Sequence, residues 1–313
     1  MQKKELNILF IGGAKRVSLA EKFIEEGKLR GTNVRIFSYE LDENVPIAFV
    51  ARVIIGLKWS DDHLYNHLLQ VISENKIDIV LPFLDIATLI CARLKMLVGN
   101  SVFIPVSDEG KCSVFFDKKK ANDWCIENAI PVPSNTEQFP LIAKPIYGSA
   151  SKGIQVLETK MDFINLQDKE AYLVQQFIKG REYSVDIYVS PLSNDIISVV
   201  PRIRLETQGG ESIKSKTIKN NDLIQFSKEI IEKSGLVGPL TLQLIEDTDT
   251  NKIYFMEINP RFGGAVLNSI FAGADSPKYL LNDFEGIPNS YQEDWIDNFL
   301  MLRRFSEYYK ICK

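Results

Sequence analysis

Lys144 lies within a short apolar segment, residues 141–145, whose composition is typical of a buried strand. Burying an ammonium group is costly unless the group is paired or faces a polar cleft. Small residues follow between Gly148 and Gly153, where a turn can bring several backbone N–H groups close to an anion. The spacing is not that of a Walker A loop. The pattern predicts a lysine and a glycine loop that bind phosphate, and a glycine-containing hairpin with a surface lysine stays an equal alternative.

A second group of polar residues interrupts two apolar, alternating runs on either side of a polar turn near position 250. This pattern predicts a β-hairpin. On its second strand, Phe255, Glu257 and Asn259 are expected to share one face, with Met256 on the other. The hairpin places Gln243 opposite Glu257, although a slip of one residue would turn it to the other face. One carboxylate with two amide oxygens suits Mg²⁺, which takes its remaining ligands from nucleotide phosphates and water.

Three arginines could bind anionic groups. Arg261 follows that strand directly and could neutralise a phosphoryl group during transfer. Arg202 and Arg204 lie two residues apart on another predicted strand, so they share a face and could form a fork for a carboxylate substrate. The alternative for this pair is an exposed basic strand with ordinary ion pairs.

The elements that must position these residues fall into two patterns. Strands alternate with helices over about the first 110 residues, beginning with residues 6–11, 33–39 and 76–82, which indicates a parallel sheet. From residue 141 onward, short strands joined by turns indicate an antiparallel α+β unit. Asp117 is placed to cap a helix between the two. A nicotinamide-binding interpretation is weak, because the residues after the first strand do not form GxGxxG.

Composition limits the classes of protein. The 313 residues are 45% hydrophobic and 25% charged, as in ordinary globular proteins, and the net charge of −4 gives no basic surface for nucleic acid. Four widely spaced cysteines form no CxxC pair, which favours a reducing, cytoplasmic compartment. No apolar run approaches the length of a membrane span, so no membrane association is expected.

Taken in order along the chain, the polar residues resemble the motifs of the ATP-grasp enzymes. The resemblance is strongest to the synthetase halves of the carbamoyl phosphate synthase large subunit and to shorter stand-alone relatives. It implies an α/β and α+β fold, with a doubly wound parallel sheet followed by a two-lobed ATP-grasp unit with antiparallel sheets. The implied domains are residues 1–112 (pre-ATP-grasp, Rossmann-like), 113–180 (linker helix and lid) and 181–313 (C-terminal subdomain with the metal site).

The resemblance also implies a role for each matching residue. Arg261, Lys144 and Arg202 would act on the reacting groups, and Gln243, Glu257 and Asn259 would hold Mg²⁺, with Mn²⁺ as a possible substitute. Glutamines stand at positions 175, 176 and 243, where many members of the superfamily carry carboxylates. The residues implied to bind ATP are Lys118, Lys144, Gly148, Ser149, Gly153, Gln175, Gln176, Phe177, Ile178 and Glu182.

The implied activity is that of an ATP-dependent ligase. Such an enzyme activates a small carboxylate as an acyl phosphate and transfers it to an amine, releasing ADP and phosphate. Two alternatives stay open: carboxyphosphate and carbamate chemistry of the carbamoyl phosphate synthase type, for which one module could pair as a homodimer, and a nucleotide-binding subunit without turnover. Intact Lys144, Glu257, Asn259 and Arg261 favour the ligase.

Overall fold

The computed structural model describes residues 4–148, 152–304 and 306–310. Ser149, expected to contact nucleotide, lies outside the described residues. Three sheets follow one another along the chain: a parallel sheet of four strands, an antiparallel sheet of three and an antiparallel sheet of six. The predicted fold class is therefore confirmed. The boundaries proposed for the three domains stay a prediction.

The first sheet has the strand order β3-β2-β1-β4, and all of its pairings are parallel. The last six residues of β1 are all buried, as expected for a central strand covered on both faces. β3 was not predicted, because its four residues at the sheet edge, two exposed and two partly buried, show neither alternation nor a long apolar run. The elements of this region are β1 (Lys4–Ile11), α1 (Val17–Leu29), β2 (Thr32–Glu40), β3 (Arg52–Ile55), α2 (Leu64–Glu74), β4 (Ile79–Pro82) and α3 (Asp85–Val98).

Two helices lead from the first sheet to the second, α4 (Glu109–Phe116) and α5 (Lys118–Glu127). The predicted cap is confirmed: the Asp117 carboxylate accepts the backbone N–H groups of Lys119 and Lys120 at 2.9 and 3.0 Å. The second sheet has the order β6-β5-β7. Its elements are β5 (Leu141–Pro145), β6 (Gln155–Leu157), α6 (Lys160–Asn165) and β7 (Tyr172–Gln176).

The third sheet has the order β12-β11-β8-β9-β10-β13 and packs α7 against its core face. Its strands are long, and β8, β9 and β11 supply much of the buried apolar surface. Its elements are β8 (Gly180–Val189), β9 (Ile196–Gln208), β10 (Glu211–Thr217), α7 (Asn221–Ser234), β11 (Gly238–Asp247), β12 (Ile253–Asn259), α8 (Leu267–Phe271), α9 (Ser276–Glu285) and β13 (Leu300–Leu302).

Residues 207–213 resemble the substrate loop of the synthetase halves, and this resemblance stays a prediction. In the structure they form a tight hairpin in which β9 runs to Gln208 and β10 begins at Glu211. Gly209 and Gly210 alone connect them, with φ of +56° and +77°. A two-residue hairpin turn with both central residues at positive φ favours glycine at both positions, which explains the pair.

Candidate active site

A large cleft of about 1910 Å³ lies between the first sheet and the third. It is lined by the loop after β1, the start of α3, the loop after β12 and the chain around β13. The predicted site residues in its lining are Lys118, Gly148, Arg202, Arg204, Gln243, Glu257, Asn259 and Arg261. The predicted nucleotide residues of the second sheet and the following hinge lie outside this lining.

The β11–β12 hairpin brings the predicted metal residues together. Gln243 pairs with Glu257, so the predicted register is confirmed. The next pair joins Leu244 to Phe255, which leaves Met256 as the extra residue of a bulge. The bulge shifts the alternation by one residue: Phe255 is 3% exposed in the core, whereas the Met256 sulfur lies 3.7 Å from the Lys144 Nζ. The prediction that Phe255 shares the face of Glu257, with Met256 opposite, is therefore wrong.

Glu257 is at the centre of this group. Its Oε1 accepts hydrogen bonds from Gln243 Nε2 at 2.8 Å and Asn259 Nδ2 at 3.1 Å, while its Oε2 lies 3.9 Å from Lys118 Nζ. Within the described part of the chain, no three His, Cys, Asp or Glu side chains cluster as a complete metal site. One carboxylate beside two amides nevertheless fits Mg²⁺ in a site completed by nucleotide phosphates and water.

Lys118 joins three elements. It is the first residue of α5, and its Nζ donates to the Gly148 carbonyl at 2.8 Å while facing Glu257. Its backbone N–H donates to the Ile146 carbonyl at 3.3 Å. The capping residue of α5, Asp117, also accepts the Tyr147 hydroxyl at 2.7 Å. The start of the glycine loop is thereby attached to α5 and to the Glu257 strand.

Lys144 is a buried cation with little compensation. It is 5% exposed on the central strand of the second sheet, and its Nζ donates to Gln175 Oε1 at 3.4 Å. Burial lowers the pKa of Lys144 to about 8, and the positive charge of Lys118 adds to this, against the opposing effect of Glu257. An ammonium held this way gains from an anion brought to it, as a phosphate would be.

Gln175 has a place that the sequence did not indicate. Its side chain is 3% exposed, and its Nε2 donates to Asn122 Oδ1 at 2.8 Å and to the Pro133 carbonyl at 3.1 Å. Because its Oε1 accepts from Lys144, every polar atom of the side chain has a protein partner. Gln175 therefore orients Lys144 from beneath, and its side chain is not available to an adenine ring.

The chain after β7 forms the predicted hinge. The Gln176 N–H donates to the Ser134 carbonyl at 2.9 Å, and the Phe177 N–H donates to the Pro140 carbonyl at 3.1 Å. Of the Gln176 backbone groups, the N–H is thus occupied by the protein. The Ile178 N–H donates to no backbone carbonyl among the described residues, so of these three it is the one left to bind a ligand.

Arg204 holds two predicted site residues in place. Its Nη1 donates to Gln243 Oε1 at 2.9 Å, and its Nε lies 3.5 Å from the carboxylate of Glu182, the predicted ribose contact. A third contact runs from Nη2 to the Gly210 carbonyl at 3.0 Å. Since Gln243 Oε1 already accepts from Arg204, Glu257 and Asn259 are better placed than Gln243 to ligate a metal.

Arg202 does not form a free fork with Arg204. It is 1% exposed, and its Nε and Nη2 donate hydrogen bonds to the two carboxylate oxygens of Asp186 at 2.7 and 3.1 Å. Ser269 donates a further hydrogen bond to the same carboxylate at 2.6 Å. The guanidinium is thus satisfied by a protein carboxylate, because β8 and β9 place residues 186 and 202 on one face of adjacent strands. The alternative of an ordinary ion pair describes Arg202, although the pair is buried rather than exposed.

Arg261 is bound to the first sheet's helix layer. Its Nε and Nη2 both contact Asp85 Oδ1, at 2.7 and 2.5 Å, and Asp85 is the first residue of α3. Nη1 donates to the Phe262 carbonyl at 3.2 Å. Sequence reasoning missed Asp85, since it lies 176 positions from its partner and nothing local marks it.

Three more charged residues in the cleft were not singled out as candidate site residues. Arg16, Glu211 and Arg303 meet where the loop after β1 faces β10 and the chain after β13. Locally, Arg16 belongs only to a segment that does not form a dinucleotide-binding motif. The buried position of Arg16 in the cleft is visible only in the folded chain.

Comparison with known proteins shows similarity to ATP-grasp proteins. A family model described as "ATP-grasp in the biosynthetic pathway with Ter operon" matches residues 168–303. A D-alanine–D-alanine ligase of Rickettsia felis is 24% identical over 202 residues, which are 55% of this chain and 62% of the relative. The match thus spans less than two thirds of the relative's length.

Solved structures share the architecture over nearly the whole chain. The biotin carboxylase domain of 2-oxoglutarate carboxylase from Hydrogenobacter thermophilus, a dimer with MgADP, ADP and bicarbonate, superposes with a TM-score of 0.74 at 14% identity. The match covers 94% of this chain and 73% of that one. The L-amino acid ligase of Bacillus licheniformis gives a TM-score of 0.69 at 17% identity, covering 91% and 75%. These structures show the fold alone, and together with the family match over residues 168–303 they confirm the predicted resemblance to the ATP-grasp superfamily.

Proposed function

We propose that this protein is an ATP-dependent ligase that activates a small carboxylate as an acyl phosphate and transfers it to an amine. The observation that carries the proposal is the convergence at Glu257. Lys118 from α5 faces its carboxylate, Lys144 from β5 contacts the preceding residue, and Arg261 follows two residues after Asn259. Oxygen ligands for a metal and cations for phosphates thus meet at one edge of the cleft. A structural ion pair would not need this combination.

The chemistry assigns a task to each group. A carboxylate oxygen attacks the γ-phosphorus, the bond to the β-phosphate oxygen breaks, and ADP leaves with that electron pair. The amine then attacks the acyl carbon, inorganic phosphate leaves, and the amine proton passes to solvent. When bound, Mg²⁺ neutralises phosphate charge and orients the nucleotide. Lys118 and Lys144 hold phosphate oxygens, and Arg261 stabilises the negative charge on the group in transfer.

The nucleotide is proposed to lie between the second and third sheets. Ile178 offers its backbone N–H to the adenine, with Gln176 and Phe177 forming the wall of the hinge, and Glu182 accepts the ribose hydroxyls. Gly148 and Gly153 bound a loop that closes over the phosphates and keeps water from the acyl phosphate. Glu257 and Asn259 ligate the metal, with Gln243 in support. The sequence predicted that Gln175 and Arg202 contact ligands. We propose instead that these two residues position other side chains.

Bicarbonate with ammonia is the second candidate substrate pair. The fold neighbour from Hydrogenobacter thermophilus was solved with bicarbonate bound, and bicarbonate is the smallest carboxylate that the proposed chemistry can phosphorylate. Carboxyphosphate would then take the place of the acyl phosphate. The same assay separates this candidate from larger acids.

Three finer points belong to the same proposal. The metal is Mg²⁺, with Mn²⁺ able to replace it, because all the proposed donors are oxygen atoms. The protein works as a homodimer, for which the dimeric neighbour is the support. It works in the cytoplasm, since the three described cysteines are buried free thiols. No helix in the described part of the chain is long and apolar enough to cross a membrane.

The test is ADP release from Mg-ATP with pooled small carboxylates and pooled amines, bicarbonate and ammonia included. Release that requires one acid and one amine, and that is lost in Glu257→Ala, supports the ligase. Asp249→Ala is the matched control, because that carboxylate is exposed in the turn of the same hairpin and should change nothing. If Mg-ATP raises the melting temperature but no pool releases ADP, the protein is a nucleotide-binding subunit.

A further inference from the structure

Three guanidinium groups meet on the side of the cleft that faces the first sheet. Arg16 follows the loop after β1, Arg261 follows β12, and Arg303 follows β13. All three line the cleft, as do the two carboxylates beside them, Asp85 and Glu211. Three positive charges against two negative ones leave one charge uncompensated within a partly buried group.

Two of the three arginines each have a carboxylate partner at short distance and a backbone carbonyl. Arg261 contacts Asp85 through two nitrogens and donates its third to a backbone carbonyl. Arg303 donates to Glu211 Oε2 at 2.6 Å and, through its other terminal nitrogen, to the Gly264 carbonyl. Neither of them therefore accounts for the excess charge.

Arg16 is the exception. Its closest carboxylate oxygen, Glu211 Oε1, lies 3.4 Å from Nη2, and its guanidinium makes no hydrogen bond with the described residues. The side chain is 15% exposed, and no Arg16 nitrogen is among the described, fully buried side-chain atoms that lack a hydrogen-bond partner, so its donors face the open cleft. Burial lowers the pKa of Arg16, and although Glu211 opposes this, the neighbouring Arg261 and Arg303 lower it further. A guanidinium stays charged in proteins, so its donors need an acceptor.

Glu211 packs closely against the loop after β12, since a Cβ on Gly264 would lie 2.7 Å from the Glu211 Cδ. Arg303 holds its other oxygen. Because Glu211 is shared with Arg303, an anion that enters the open cleft would supply the acceptor that Arg16 lacks.

We propose that Arg16, supported by Arg303, binds an anionic group of a substrate, separate from the carboxylate that receives the phosphoryl group at Arg261. The acid substrate of the ligase therefore carries a second anionic group, a second carboxylate. This inference rests on the proposed function, which assigns the phosphoryl-accepting carboxylate to Arg261. It adds the class of substrate that the same cleft binds.

The test measures equilibrium binding and needs no turnover. Calorimetry, in buffer free of phosphate and sulfate and in the presence of MgADP, compares a series of dicarboxylates from malonate to adipate with butyrate. We expect at least one dicarboxylate to bind about tenfold more tightly than butyrate, and Arg16→Gln to remove that advantage. Lys28→Gln, an exposed residue on the same helix α1, should bind as the wild type does. Arg16→Lys keeps the charge and should retain part of the preference.

The outcomes separate this inference from the proposed function. If no dicarboxylate is preferred, or if Arg16→Gln keeps the preference while it binds MgADP normally, the inference is wrong. If MgADP does not bind at all, the proposed function fails, and the dicarboxylates alone still test Arg16. Once substrates are identified, the KM of the acid should rise in Arg16→Gln while that of the amine stays the same, and an unchanged KM for the acid would contradict the inference.

Discussion

Replacing Lys144 by methionine should stabilise the fold and weaken nucleotide binding at the same time. The ammonium is 5% exposed, and burial lowers its pKa from an ordinary value of 10.5 to about 8. Each pH unit between the two values corresponds to about 1.36 kcal/mol. At pH 7 the charged lysine therefore reduces the free energy of unfolding by about 3 kcal/mol.

Methionine removes that cost but also removes a hydrogen-bond donor. Gln175 Oε1 loses the Lys144 Nζ at 3.4 Å, and a buried acceptor left without this partner costs about 1 kcal/mol. The net expectation is a gain of about 2 kcal/mol at pH 7 for Lys144→Met. The exposed neighbour Lys119 is the matched control, and Lys119→Met should change stability by less than about 0.5 kcal/mol.

The pH dependence of the stability difference between Lys144→Met and the wild type tests the argument most directly. Between pH 8 and pH 10.5 the unfolded chain keeps the Lys144 proton and the folded chain has lost it, so wild-type stability rises with pH across this window. Below pH 8 the full cost is present. The advantage of Lys144→Met over the wild type should therefore be constant near neutrality and disappear as the pH approaches 10.5.

Urea unfolding of both proteins at several pH values measures this difference, and melting with and without Mg-ATP measures the loss of nucleotide binding. A variant that is less stable than the wild type at pH 7 would refute the argument that Lys144 is an uncompensated charge. So would a gain that stays the same up to pH 10.5.

Further predictions follow from the same contacts. Asp186→Ala leaves the Arg202 charge buried and unpaired and should cost about 3–5 kcal/mol in urea unfolding, while the double variant with Arg202→Met recovers part of this. If the double variant is destabilised as much as Asp186→Ala alone, the unpaired Arg202 charge is not the cause of the destabilisation. Asp85→Asn frees Arg261 from its carboxylate and should lower kcat by about tenfold with Mg-ATP binding unchanged; equal kcat would show that the Asp85 contact does not position Arg261. Because phosphate binding favours the charged form of Lys144, Mg-ATP affinity measured by calorimetry should fall above pH 8, and a flat profile would contradict this.

The fold class and most elements could be predicted from local patterns. The apolar run of β1, the cap at Asp117 and the polar turn near position 250 are each encoded by neighbouring residues, and each is found in the structure. The hairpin register also followed, because two alternating runs of similar length leave few ways to pair. The order of motifs was enough to indicate the superfamily.

The face of Phe255 could not be predicted, since a bulge at Met256 changes the alternation and depends on how two strands fit together. The partners of the Gln175 and Arg202 side chains could not be predicted either. Each looks like a ligand-binding residue in sequence, but Asn122 and Asp186, from distant elements, occupy their polar atoms.

The sequence by itself therefore determined which groups could bind phosphate and metal, because a charged residue within an apolar strand is a local signal. Only the tertiary structure decided which of those groups remain available to a ligand. Arg16 and Asp85 join the site from the first sheet, more than a hundred residues from their partners Glu211 and Arg261. Long-range charge pairing of this kind depends on how the sheets are packed together, and no spacing along the chain records it.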